Sequence, residues 1–567
     1  MAYAALANVN AVVGLYTSVF PTLAYVIFGT SKHVNLGMFA VAALMTGNAL
    51  EHRMTDIFDR NNNNSEFHDL QTIDRADLAI RLMATLTFTV GVVMGIFAIL
   101  QLHSLTVYLA DPVVGGFTIG AACHVFASQM PKLIGVQISP RYGPFGLLKL
   151  PYFLIDFTIS LRKANVHVAS ISALSIAILM LGKYILNPPI QRRFRIPLPM
   201  ELIVMIIGTL ISYMLELNVK QKVAIVGLIP YKLPVPSLPE FRHFSAFILD
   251  AIVIAIVIYS VTVSVGKVFA KKHGYHIIPS QELHAMAICQ LVGGFLSCHP
   301  ASASLSRALV NSELGATSEL SSVVSAFVVL LVILLIGPLL YYLPMCVLVS
   351  VIVVALQGMF LRAGEVVHYW KTSKIDLSIW LVSFLGTFLW NVSQGLGVAV
   401  AFAILTVIIR TQRSKAVILG RMKDTELYND SACYSASLVS PTIAIYRYDA
   451  PLLFLNSDSF INSALNIVDD KQKMLSEKER LYLIIDASGF THIDCTGIER
   501  LKDLSHEMRT RNVEIFVAAA KAAARILFAK CEIYEMIPSS HFFPSVHDAV
   551  LFANAKQSVM NNELMKQ

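Results

Sequence analysis

Arg307 lies within an otherwise apolar and small-residue stretch, Ser302-Ala-Ser-Leu-Ser-Arg-Ala-Leu-Val310, just after Cys298-His299-Pro300. A guanidinium among apolar residues must face a wet cavity, a partner or a passing ligand. Leu36–Leu50 has a similar form, being short, apolar, preceded by His33-Val34-Asn35 and interrupted by Gly37. Both runs fall short of the roughly 20 residues needed to cross the hydrocarbon core. Two half-helices that start near the midplane would turn unpaired N–H groups and positive dipole ends toward one point. The starts are expected at Gly37–Phe39 and at Ser302–Ser306. Such a pair of ends suits a small anion such as sulfate or chloride, and Arg307 adds one fixed positive charge. Plainer readings exist for each residue. Arg307 is then a snorkelling or structurally paired cation, Phe39 is core packing, and Ser306 bonds back to its own helix.

Other chemistry finds little support. The seven cysteines are scattered and form no Cys-x-x-Cys pair, which argues against a zinc site or a disulfide framework. No Walker loop and no Gly-x-Gly-x-x-Gly after a strand is present, so nucleotide hydrolysis has no carrier. No metal, no cofactor and no enzymatic activity are expected. The net charge of +7 is not gathered into a basic patch interleaved with aromatics, so no nucleic-acid partner is expected.

The elements that must position these residues are membrane helices. Of the 567 residues 56% are hydrophobic and only 14% charged, with a mean hydropathy of +0.64. Soluble chains carry roughly 25% charged residues. Apolar runs cover Val12–Gly29, Leu78–Leu102, Leu109–Met130, Val166–Leu186, Pro199–Leu217, Phe244–Ala270, Leu283–Ser297, Leu320–Tyr342, Leu343–Phe360, Ile375–Trp390 and Gln394–Ile409. With the two short runs and a partial one at Met1–Val9, the chain holds about fourteen segments by the spanning-length criterion. They divide into two sets of seven, with the short run third in each. Short segments at matching places in two halves point to broken helices in an inverted repeat. Leu147–Leu161 is apolar on one side and reads as lying along the membrane or extending the preceding helix.

Loop charges agree with this count. The clusters Arg192/Arg193/Arg195, Lys267/Lys271/Lys272, Arg362/Lys371/Lys374 and Arg410/Arg413/Lys415 all fall on the cytoplasmic side if the chain starts there. Glu51–Asp77 becomes an external loop, and its sequon Asn63-Asn64-Ser65 makes Asn63 a candidate glycosylation site. After about Lys415 charges become frequent. Thr442–Tyr448, Leu481–Ile485 and Val513–Ala518 are strand-like, while Ser457–Val468 and Gly497–Thr510 have helical spacing, which implies a compact α/β domain. The expected division is 1–411 transmembrane, 412–438 linker, 439–556 α/β domain and 557–567 tail.

In this order the motifs resemble those of the sulfate permease (SulP) family of anion transporters and exchangers, which includes pendrin and prestin. The resemblance is carried by Met1-Ala-Tyr-Ala-Ala-Leu-Ala7, Gly14-Leu-Tyr-Thr-Ser-Val-Phe-Pro21, Gly29-Thr-Ser-Lys-His33, Asp111-Pro-Val-Val-Gly-Gly-Phe-Thr-Ile-Gly-Ala-Ala122, His124-Val-Phe-Ala-Ser-Gln129, Pro197-Leu-Pro-Met-Glu-Leu-Ile203, Ser264-Val-Gly-Lys-Val-Phe-Ala270 and Ala303-Ser-Leu-Ser-Arg307. Ile485-Asp-Ala-Ser-Gly-Phe490 and Ile493-Asp-Cys-Thr-Gly497 are similar to the family's C-terminal STAS domain. The resemblance implies an α-helical membrane protein of two inverted seven-helix repeats, split into core and gate domains and followed by a small α/β STAS domain. It implies secondary transport of sulfate, oxalate, chloride or bicarbonate by exchange, with an anion channel, a voltage-responsive motor, or a scaffold acting through the STAS domain as alternatives. It further implies a homodimer in the plasma membrane, contacts with lipid, a cytoplasmic STAS domain and cytoplasmic partners for that domain.

The same resemblance puts the anion between the third and tenth helices, closed by the first. This implies Tyr3, Phe39, Ala40, Leu305, Ser306 and Arg307 as substrate-binding residues. In the STAS turn, Thr496 is a candidate phosphorylation site, with helix capping by Asp494 or Thr496 as the alternative. Three departures from the family pattern are visible. Val261 stands where members thought to be proton-coupled have a glutamate, which favours exchange or uncoupled transport. Gly37-Met38 replaces the usual Gly-Pro, which relaxes the start of the third helix. The chain starts at a residue matching the middle of the family's first helix, so a truncated first helix is expected.

Overall fold

The chain is described by a computed structural model covering residues 1–63, 75–104, 110–136, 138, 147–194, 198–227, 233–414, 416–434, 436–437, 440–475 and 479–564. Asn64 and Ser65 of the sequon, Arg195 and Lys415 lie outside the described residues. Contacts divide the chain into a unit from Met1 to Ala403 and a unit from Ile404 to Gln567.

Each of the fourteen expected segments carries a helix. The first set comprises Ala2–Leu6, Ala11–Phe28, Ala40–Asn63, Arg75–Ile99, Asp111–Ile134, Val166–Leu181 and Met200–Leu215. The second comprises Phe244–His273, Pro279–Phe295, Leu305–Glu313, Leu320–Leu331, Met345–Phe360, Lys374–Leu389 and Val392–Gln412. Among the described residues seven helices are long and apolar enough to cross a membrane, taking continuous helical runs together. The one-sided run before the sixth helix forms the helix Lys149–Ser160, with Leu154, Ile155 and Ile159 exposed.

Packing between the sets is reciprocal, as a pseudo-twofold axis in the membrane plane requires. The fourth helix of the first set lies on the second of the second set, and the fourth of the second set lies on the second of the first. Likewise the fifth of each set lies on the sixth of the other. Small residues allow this closeness. A Cβ added to Gly116 would stand 2.3 Å from the Trp380 carbonyl oxygen, so the fifth and thirteenth helices meet almost backbone to backbone. Val168, Leu179, Met200, Val204, Cys346 and Val347 form a separate apolar cluster between sixth, seventh and twelfth helices. Most of the core helices share a larger one.

Two expectations need correction. The third helix is not a short half-helix, because it runs 24 residues from Ala40 to Asn63. Residues 49–61 contain neither Gly nor Pro, and Arg53 pairs with Asp56 at 3.7 Å, so nothing stops the helix at Leu50. The stretch read as a loop from Glu51 is therefore helical up to Asn63, and the next helix starts at Arg75. The tenth helix is short, but it begins at Leu305, since Ser302 and Ala303 are in a strand.

The second unit is built on a mixed sheet. Ile443–Tyr448, Leu481–Asp486, Val513–Ala518 and Phe542–Phe543 run parallel, and Ala416–Met422 pairs antiparallel with the first of them. Side chains alternate as strand geometry demands. Tyr446, Leu483, Ile485 and Val517 share a core with the helices Ser457–Gln472 and Cys495–Thr510, while Ile445, Tyr482, Ile484 and Phe516 pack with the helix Val546–Leu564. The 412–438 stretch, read as a linker, holds the strands Ala416–Met422, Tyr428–Asp430 and Ala436–Ser437.

Candidate functional site

The two halves meet where Leu36–Gly37 pairs antiparallel with Ser302–Ala303, Leu36 facing Ala303 and Gly37 facing Ser302. From this pair the chain enters the helices that begin at Ala40 and Leu305. Extended backbone among membrane helices needs protein partners for its N–H and C=O groups. Side chains from neighbouring helices supply them. Thr22 donates its hydroxyl to the Leu36 carbonyl at 3.0 Å. The Gln290 carboxamide holds Ala301 from both sides, donating to its carbonyl at 2.6 Å and accepting from its N–H at 2.9 Å. Thr262 accepts from the Ala303 N–H at 3.2 Å, and Thr87 donates to the Cys298 carbonyl at 2.8 Å. Thr17 accepts from the His299 N–H at 2.9 Å. All five side chains are buried.

Arg307 straps the two strand ends together. Its Nη1 donates to the Met38 carbonyl and its Nη2 to the Ser302 carbonyl, each at 3.1 Å. Nε is buried without a partner, and no carboxylate pairs with the guanidinium among the described residues. Among the described residues its positive charge is thus met by hydrogen bonds to carbonyl dipoles alone. Gly37 makes the position possible, because a Cβ there would stand 2.9 Å from Nη1 and 3.1 Å from Cζ. Met38, at the place of the usual proline, is buried and packs its sulfur toward Gly14.

The other expected residues surround this strap. Phe39 is half-buried, and its carbonyl accepts from the Ala43 N–H at 2.8 Å, which makes it the cap of the third helix. Ala40 is buried, so its backbone N–H rather than its side chain is the group that bears on the helix start. Leu305 is 56% exposed, and Ser306 is exposed with its hydroxyl 3.0 Å from that of Ser304. Ser306 therefore does not bond back to its own helix. Ser304 caps the tenth helix in an extended conformation, yet its side chain accepts no bond from the first turn. The first-turn N–H groups of both helices lack intrahelical partners by geometry. Tyr3 is half-buried on the helix Ala2–Leu6, packs on the core and lies within electrostatic reach of Arg307. That short helix touches both the third helix and the fifth and twelfth. Val261 is half-buried beside Thr262 on the eighth helix.

Sequence reasoning missed Thr22, Thr262 and Gln290. Their signal was isolated polar residues in apolar runs, which in a membrane must find partners. The histidines His124 and His299 are engaged by carbonyls, His124 Nε2 with Thr387 and His299 Nδ1 with Pro300, both at 2.8 Å.

In the second unit Asp494 caps the helix Cys495–Thr510. Its Oδ1 accepts from the Gly497 N–H at 2.7 Å and its Oδ2 from the Phe454 N–H at 2.8 Å. Thr496 is exposed in the first turn of the same helix.

Comparison with known proteins finds relatives over nearly the whole chain. The sulfate permease family pattern matches residues 1–383, and the STAS domain pattern matches residues 434–549. Sulfate permease family protein 3 of Caenorhabditis elegans is 31% identical over 622 residues, covering 97% of this chain and 79% of that protein. Prestin of Danio rerio is 37% identical over 482 residues, covering 84% of this chain and 64% of that protein. The structure of murine Solute Carrier 26 family member A9, an anion transporter in the inward-facing state, superposes with a TM-score of 0.87 at 30% identity, covering 98% of this chain and 88% of that one. These relatives match both the membrane unit and the α/β domain that follows it, and the chain belongs to the sulfate permease family of anion transporters.

Proposed function

We propose that the chain exchanges small anions, with sulfate, oxalate, chloride and bicarbonate as the candidates, by alternating access of the site at Arg307. The observation that carries this reading is a guanidinium bound, among the described residues, only to the Met38 and Ser302 carbonyls between two helix starts. An anion there gains one full charge and the first-turn N–H groups without meeting a carboxylate. Phe39, Ala40, Leu305, Ser306 and Tyr3 form its surroundings. Phe39 and Leu305 offer apolar walls, Ser306 a hydroxyl, and Tyr3 the closing side. Such a site reads charge and size loosely, which fits several anions rather than one. The short first helix touches the third helix as well as the fifth and twelfth, and so is suited to sense movement among them. Val261 carries no proton, which supports exchange over proton symport.

The remaining parts follow the same reading. The chain acts as a homodimer in the plasma membrane with the STAS domain in the cytoplasm, where that domain recruits partners. The sequon at Asn63 then faces outward as a glycosylation site, and Thr496 is open to a kinase. The proposed division keeps 1–411 as the transport part and 439–556 as the STAS domain, with the strands within 412–438 belonging to the latter's sheet.

Labelled sulfate uptake in cells, with surface abundance measured, tests the function. Uptake accelerated by internal chloride or oxalate is the expected result. Uptake that ignores the internal anion would refute exchange, and charge movement without turnover would favour a motor.

A further inference from the structure

The eighth helix, Phe244–His273, ends at Gly274, whose φ of 69° turns the chain back on itself. The returning residues lie against the helix, since a Cβ added to Gly266 would meet Ile277 at 3.1 Å. Between the two runs lies a cavity of about 500 Å³ lined by Lys267, Lys271, Tyr275, His276 and Ile277 among others. Lys267 and Lys271 are four residues apart, so both project from one face of the helix. Neither has a hydrogen bond or ion pair among the described residues.

Their neighbours are already committed. Lys272 donates to the Ser312 hydroxyl at 3.1 Å, and His273 Nε2 lies 2.7 Å from the same oxygen. His273 also stacks on His33 with ring centroids 4.1 Å apart. Tyr275, one wall of the cavity, is pinned by its hydroxyl to Ser31 and to His33, each at 3.1 Å, with the Lys32 ammonium 5.5 Å from its ring centroid. The positive charge of this helix end thus divides into a face engaged with the protein and a face open on the cavity. Basic residues at a helix end follow from its dipole and from loop-charge bias. Neither effect requires a preformed cavity between two unpaired lysines.

Flanking apolar surface indicates the source of the ligand. Val268 is 55% exposed on the last turns of the helix, and Ile278 is 56% exposed just beyond the cavity. Cations beside exposed apolar side chains at the end of a membrane helix match the headgroup layer, where charge and acyl chain adjoin. We propose that this cavity binds the phosphorylated headgroup of an anionic membrane lipid, of the phosphoinositide class, with Lys267, Lys271 and His276 as its ligands.

Native mass spectrometry of the full-length chain in detergent tests this, with phosphatidylinositol bisphosphate, phosphatidylcholine and soluble inositol trisphosphate as probes. The bisphosphate lipid is expected to be retained over phosphatidylcholine. Lys267→Gln with Lys271→Gln is expected to weaken retention roughly 30-fold, from the usual worth of two lysines at an anionic surface. His276→Gln gives a smaller loss by an independent route, and Lys272→Gln leaves retention unchanged. Because Lys267, Lys271 and His276 are exposed, melting of their variants should match the parent. Equal retention by the double variant and the parent, or of phosphatidylcholine and the bisphosphate, would overturn the site. Equally tight binding of soluble inositol trisphosphate would overturn the lipid as its source. The readout is lipid retention, so it stands apart from the transport reading.

Discussion

Replacing Arg307 separates charge from strapping. Arg307→Gln removes a positive charge and at least one of the two bonds to Met38 and Ser302. An anion about 5 Å from the guanidinium, at an effective dielectric of about 20, loses about 3 kcal/mol of attraction. That corresponds to roughly a hundredfold weaker binding. Arg307→Lys keeps the charge, but an ammonium has no planar fork with which to hold both carbonyls. It forfeits one charge-assisted bond, worth about 1.5–3 kcal/mol to the local structure. Purified chain in proteoliposomes is the assay, with initial rates of labelled sulfate uptake taken over a range of sulfate concentrations. The glutamine variant should need far more sulfate to reach half-maximal rate, and the lysine variant should fall between it and the parent. Melting should drop for both, by similar amounts. A glutamine variant within about threefold of the parent would refute the electrostatic role. Lysine and glutamine variants that fail equally would reduce Arg307 to a strap.

Three further outcomes are expected. Gly37→Ala places a methyl group 2.9 Å from Nη1, so it should impair transport by displacing Arg307. Combined with Arg307→Gln it should add little, and full additivity in uptake kinetics would deny that the two act through one contact. Asp494→Ala loses the bonds to the Gly497 and Phe454 N–H groups and should destabilise its helix by about 1–2 kcal/mol, seen as faster amide exchange over Cys495–Thr510. Unchanged exchange there would show that the cap is redundant. Burial holds His541 below its ordinary value of 6.5, with Lys556 and Arg509 acting in the same direction and Glu514 opposing them. As pH falls, the unfolded chain therefore takes this proton before the folded domain does. The resulting stability is full above about pH 6.5 and declines as pH falls. Amide protection factors of the strands Leu481–Asp486 and Val513–Ala518, corrected for the intrinsic pH dependence of exchange, should fall on acidification, less so in His541→Gln. Parallel pH profiles for the two proteins would rule this out.

The repeat was legible because it is written in run lengths. Lipid demands long apolar stretches, and two short ones at matching places reveal broken helices. Arg307 was legible for the same reason, as a charge where apolar residues dominate. Helix ends were less so. Nothing in composition separates a half-helix ending at Leu50 from the 24-residue helix observed, because the polar residues beyond it still favour helix. Ala416–Met422 was read as linker, since an exposed Arg421 and a short run obscure its place in the sheet.

The site itself needed tertiary structure. Two-residue strands have no period to read, so the pairing of Gly37 with Ser302 leaves no trace in either segment. Gly37 looks like a helix-start residue, and only contact with Arg307 shows that it clears space for a guanidinium. Thr22, Thr262 and Gln290 are single polar residues on separate helices, and their carbonyl and amide partners lie up to 41 positions away. Sequence determined that a membrane-embedded cation and two helix starts exist. Folding decided that they meet, because hydrogen bonds act over about 3 Å whatever the distance along the chain.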